Sequence, residues 1–173
     1  MSLETLQSFF PHKIRLEKLY TASIDGDTSE IFHSKCDNHF PTIVIVKARN
    51  GSVFGGYTEK KWNSNSINSY KADKNSFLFN LNLQTKYHIN KIYQEKAIFC
   101  NKFNGPCFGN GFDLFFGRKF LDGEETFSNF PCAYGESDIE GYELINSGNT
   151  RRKDTSYGKF IANELEVYKV CKD

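Results

Sequence analysis

Residues 41–58 read Pro41-Thr-Ile-Val-Ile-Val-Lys-Ala-Arg-Asn-Gly-Ser-Val-Phe-Gly-Gly-Tyr-Thr58. The run from Thr42 to Ala48 is almost continuously β-branched, which favours a strand buried on both faces. Asn50-Gly51 follows, and both residues tolerate positive φ, so the chain turns back as a hairpin. The returning strand, 52–58, carries the pair Gly55-Gly56. Strand propensity disfavours glycine at such positions, so these glycines imply positive φ or a close approach by other atoms. Gly51, Gly55 and Gly56 are therefore expected to be structural.

Outward from this hairpin the pattern stays β. Phe77, Phe79, Leu81 and Leu83 alternate with Asn80 and Asn82, which predicts a strand over 77–83. Residues 97–100, 112–116 and 164–170 predict three more. On the N-terminal side, Leu3, Leu6 and Phe10 have helical spacing that Pro11 ends, and 14–20 has an ambiguous period. Asp25-Gly26 marks a turn. Asp27 then has the chemistry of an N-cap, with Glu30 three residues on, for a helix carrying Ile31, Phe32 and Cys36 inward. Many short strands without strand–helix alternation predict a mainly β (α+β) fold. Its form is a two-sheet antiparallel β-sandwich with a few short peripheral helices.

The chain has 173 residues, which fits a single domain over 1–173 with a core of about 14–170. Linkers and internal repeats are absent. Seventeen Phe and nine Tyr supply the core, since each aromatic buries a large area. The net charge of +1 lacks the basic field of a nucleic-acid module or a polybasic membrane binder. No apolar run is long enough to span a bilayer, so no membrane insertion is expected. The N-terminal residues show neither a basic region nor a long apolar stretch, so no export signal is expected. Five scattered cysteines are then read as reduced thiols in the cytosol or nucleus. Residues 146–156, with Arg151, Arg152 and Lys153, read as a polar loop.

Several constellations could carry chemistry. His33-x-x-Cys36-x-x-His39 has ligand types but gives only three of the four that zinc needs. The competing reading is a core cysteine between two surface histidines, so no metal is expected. Cys100 and Cys107 flank an Asn-Gly-Pro turn and could pair or lie on opposite sheet faces. The glycine-rich stretch 105–111 matches no phosphate-binding motif and precedes a strand, so it is expected to bend a strand or let another backbone approach. Motifs of nucleophilic catalysis are missing. Asp113 and Glu166 sit on partly apolar strand faces, where a carboxylate can acquire a shifted pKa. Neither a cofactor nor a catalytic residue is identified.

Taken in order, these blocks resemble the TLDc domain, the TBC- and LysM-associated domain of oxidation-resistance proteins. The resemblance runs through Leu16-Glu-Lys-Leu-Tyr20, Ile24-Asp-Gly26 and Ile31-Phe-His-Ser-Lys-Cys-Asp37. It is strongest at the hairpin and Trp62. It continues at Asp73, Phe77-Leu-Phe79, 105–114, Ser128-Asn-Phe-Pro131 with Tyr134, and Glu164-Leu-Glu-Val-Tyr168. Asn110 interrupts a glycine triplet usual in the family, and the loop at 146–156 is longer and more basic than expected. The resemblance implies a β-sandwich, a role in protection against oxidative stress, and a protein partner, for several members the soluble sector of the V-ATPase. It places binding residues at Gly109, Gly111, Asp113 and Glu166. It implies a non-catalytic protein-binding module in the cytoplasm or nucleus, or at the cytosolic face of organelles. The alternative is a thiol- or carboxylate-dependent enzyme of redox defence.

Overall fold

A computed structural model of the chain describes residues 3–65, 67–121, 123–135, 144–145 and 158–173. The basic loop expected at 146–156 lies outside the described residues. The hairpin forms as its sequence requires: β2 (Thr42–Ala48) pairs antiparallel with β3 (Val53–Thr58), with Thr42 opposite Thr58 and Lys47 opposite Val53. Gly51 turns the chain at φ 88°.

Before the hairpin come α1 (Leu3–Ser8), β1 (Ile14–Thr21), α2 (Ala22–Asp25) and α3 (Ser29–Cys36). After it come β4 (Ser69–Lys71), β5 (Phe77–Asn80), β6 (Thr85–His88), a 3-10 turn at Lys91–Lys96 and β7 (Ile98–Cys100). The chain continues through β8 (Cys107–Phe108), β9 (Phe115–Phe116), β10 (Thr126–Ser128), β11 (Gly158–Lys159) and β12 (Ala162–Lys172). One layer is a six-stranded sheet in the order β1-β12-β2-β3-β5-β6. The other is made of two three-stranded sheets, β11-β10-β9 and β4-β7-β8, joined by a bridge between Phe108 and Leu114. Every strand pair is antiparallel. This is the mainly β sandwich that the turn-rich sequence predicts. Among the described residues no helix is long and apolar enough to cross a membrane.

Alternation along β2 decides where the cores sit. Val44, Val46 and Ala48 face the second layer and join Phe54, Leu165, Val167, Ile98, Phe108 and Phe116. Ile43 and Ile45 face outward, where α1 and its exit cover them with Leu6, Phe9 and Phe10. A strand buried on both faces therefore needs α1 as a third layer. Phe10 packs edge-on to Tyr57 at 5.1 Å, and Tyr57 stacks on Phe77 at 4.9 Å.

Three expectations need correction. The N-cap of α3 is Thr28, not Asp27: the Thr28 hydroxyl accepts from Ile31 N at 3.4 Å. The strand over 77–83 stops at Asn80, because the Asn80 Oδ1 accepts from Leu83 N at 2.9 Å and folds the chain into a turn. The strand over 112–116 is reduced to two residues, since Gly111 (φ 102°) and Phe112 (φ 63°) leave extended geometry.

Candidate functional site

The glycine-rich stretch wraps around a buried carboxylate. Asp113 is fully buried and accepts three successive backbone amides. Its Oδ1 takes Cys132 N at 2.7 Å and Tyr134 N at 3.2 Å, and its Oδ2 takes Ala133 N at 2.9 Å. The Asp113 carbonyl accepts from the Ser128 hydroxyl at 2.6 Å, and Asn129 N donates to the Phe112 carbonyl at 3.0 Å. These bonds tie the loop before β9 to residues 128–134. Gly109 lies on top of the carboxylate at φ 88°, and a Cβ there would overlap Asp113 Oδ2. Burial pushes the Asp113 pKa up from 3.8 to about 6, against the pull of the three amides. Asp113 can accept hydrogen bonds, but its carboxylate is held inside the protein, away from any substrate.

Gly109, Gly111 and Asp113 thus share one loop, with Gly111 exposed at its rim. Glu166 is elsewhere. It sits in β12 on the outer face of the six-stranded sheet, opposite Ile45 of β2 and Thr21 of β1. Its Oε1 accepts from Lys18 Nζ at 2.7 Å, and its Oε2 lies 3.5 Å from Lys47 Nζ. Burial would raise its pKa, but the two lysines outweigh that and hold it below the usual carboxylate value. Strand parity fixes only which face of β12 carries Glu166; its approach to the lysines comes from β12 lying between β1 and β2, which the sequence could not reveal.

Gly55 and Gly56 are required for space. At Gly55 a Cβ would overlap the Val44 carbonyl oxygen and lie 2.9 Å from Phe79 Cζ. At Gly56 it would lie 2.6 Å from Phe108 Cζ and 2.8 Å from Leu78 Cδ2. Two core rings from opposite faces press on these adjacent residues.

The histidine–cysteine cluster is not assembled for a metal. Cys36 is buried in the main core, and burial pushes its thiol pKa up. His33 is buried rather than at the surface. Its Nδ1 contacts Asp37 Oδ1 at 2.5 Å, and its Nε2 donates to the carbonyls of Asn101 and Asn104, each at 3.0 Å. Among the described residues no group of three His, Cys, Asp or Glu could hold a metal ion. Sequence reasoning missed this linking role of His33, because its carbonyl partners are about 70 residues away and carry no side-chain signal.

The thiols do not converge. The register of β7 with β8 puts Cys107 opposite Phe99, while Cys100 faces the main core with Ile98. The two cysteines therefore lie on opposite faces. Burial pushes both pKa values up. Cys132 is exposed, and partial burial together with the Asp113 charge raises its pKa too.

The model of the TLDc domain family matches residues 1–171. A stretch of 78 residues is 28% identical to the Drosophila melanogaster protein named GTPase-activating protein skywalker. That stretch is 43% of this chain and only 13% of the relative's length. With the sandwich, the glycine-paired hairpin and the family match over nearly its whole length, the chain belongs to the TLDc domain family.

Proposed function

We propose that the protein is a non-catalytic interaction module, acting as one domain, that docks on the soluble sector of a proton-pumping V-ATPase and contributes to protection against oxidative stress. The single observation that carries this is family membership over residues 1–171. The proposed place of action is the cytoplasm, including the cytosolic face of organelles. A GTPase-activating role is not carried over, because the match covers 13% of the protein bearing that name.

Three features of the side chains support binding over redox catalysis. Catalytic thiols need a lowered pKa and a resolving partner, whereas Cys36, Cys100 and Cys107 are buried with raised pKa values. Cys100 and Cys107 also lie on opposite faces of their sheet. Asp113 is spent on backbone amides. The proposed docking surface is Gly111 and its surroundings at the rim of the Asp113 loop, whose shape the buried Gly109 sets, with the Glu166 face as a separate contact. Docking would act by population shift, favouring whichever state of the pump the module binds more tightly. The test is co-sedimentation of the purified protein with the soluble sector from its own source, beside a peroxide-consumption assay. Binding at micromolar concentration without peroxide turnover is the expected result. Rapid peroxide turnover without binding would replace this reading with the redox enzyme.

A further inference from the structure

A cleft of about 760 Å³ opens between four segments. They are the C-terminal turn of α3, the 61–65 loop, strand β4 and the loop between β7 and β8. Small-molecule sites commonly span roughly 300–1,000 Å³. Lys61, Lys71 and Lys102 line the cleft, together with Trp62 and Phe103.

The charges in this cleft are unbalanced. Its acids are outnumbered: Glu30 is paired with Arg118 Nη2 at 2.9 Å, which leaves Asp37, hydrogen-bonded to His33 and to Ser64 N at 2.8 Å, as the one carboxylate without a lysine or arginine of its own against three lysines. Its three lysines have no carboxylate partner among the described residues. Lys71 Nζ donates to the Lys61 carbonyl. Lys61 Nζ sits 4.9 Å from the Phe40 ring centroid, and Lys102 Nζ sits 4.8 Å from that of Phe103. Carbonyl and ring contacts leave an ammonium group's full charge in place. The walls are also braced, because His33 joins α3 to the 101–104 loop while Asp37 joins it to Ser64. Such a cleft is preformed, which limits the ordering cost of binding.

We propose that this cleft binds a small phosphate ester, with the phosphate held by Lys61, Lys71 and Lys102 and the organic part against Phe103. Lysine serves phosphate as a point charge, and three of them suit a multiply charged group better than a single carboxylate. Phe103 is half exposed at the rim and offers an apolar face. The proposal is independent of the docking reading, since it rests on the cleft alone.

Trp62 is the protein's only tryptophan and lies buried in the wall of the cleft, so its fluorescence senses changes there. The probes are inorganic pyrophosphate, glucose 6-phosphate, citrate, and vesicles of phosphatidylcholine with or without phosphatidic acid. Saturable change with pyrophosphate and glucose 6-phosphate, and weaker change with citrate, is expected for a soluble ester. A response confined to phosphatidic acid vesicles would keep the phosphate chemistry and assign it to a lipid headgroup. Lys102→Gln should weaken binding about tenfold, the size of one lost charge-assisted hydrogen bond, with the melting temperature unchanged. Lys61→Gln with Lys102→Gln should remove it, while Lys159→Gln, outside the cleft, should not. No saturable change with any phosphate probe at millimolar concentration would overturn the proposal. So would equal responses to citrate, or full binding by the double variant.

Discussion

Asp113 shows how one carboxylate can hold a loop and still weaken it as pH rises. Its folded pKa of about 6 stands above the ordinary 3.8, so the folded state holds this proton more tightly than the unfolded chain does. Its contribution to stability is then fully present below about pH 4 and is lost as pH rises through about 6. A rise from 3.8 to about 6 corresponds to about 3 kcal/mol. The check compares melting temperatures of the wild type and Asp113→Asn across pH 4–7, so that other groups cancel. The wild type should gain on the variant as pH falls, and parallel profiles would contradict this. At Gly55 and Gly56 the constraint is steric. Gly56→Ala meets the ends of two side chains that can shift, costing about 1–3 kcal/mol. Gly55→Ala meets the Val44 carbonyl, which is fixed in the hairpin, and should cost more in a urea titration.

Among the elements, β12 connects the most. It pairs with β1 on one side and β2 on the other, and Glu166 carries ion pairs to both strands. Glu166→Ala removes both and leaves Lys18 without its hydrogen-bond acceptor. Because both lysines are half exposed, the expected cost is about 0.5–1.5 kcal/mol. Lys18→Ala should cost more than Lys47→Ala, because the distances are 2.7 and 3.5 Å. Equal costs in chemical denaturation would argue against the pairing as drawn. Element by element, the hairpin was legible because its signals are local: a β-branched run, then Asn50-Gly51. The end of β5 was not, because Asn80 and Asn82 keep the period of a strand while the Asn80 side chain closes a turn and Asn82 accepts from Val53 N of β3. The two-residue strand β11 exists through pairing with β10 about 30 residues away, and β8 and β9 are too short to show a period, so local patterning cannot reveal them.

For the whole molecule, the sandwich follows from short strands and a large supply of aromatic side chains. Phe32 contacts Tyr20, Trp62 and Phe120 edge-on, linking α3 to both layers. The candidate site was only half legible. Gly109, Gly111 and Asp113 are near in sequence and meet, whereas Glu166 sits on a different sheet face for reasons of topology alone. Burial also predicts the thiol chemistry of the folded protein. A maleimide reagent should label Cys132 and Cys171 within minutes, and Cys36, Cys100 and Cys107 only on unfolding. Fast labelling of all five, read by mass spectrometry, would contradict the packing.

Docking on the V-ATPase soluble sector is tested most directly by hydrogen exchange of the intact protein with and without that sector. The account predicts slower exchange on addition of the sector at the rim around 109–112 and around Glu166 in β12, with the other sandwich strands unchanged. Identical exchange everywhere at concentrations well above micromolar would contradict it.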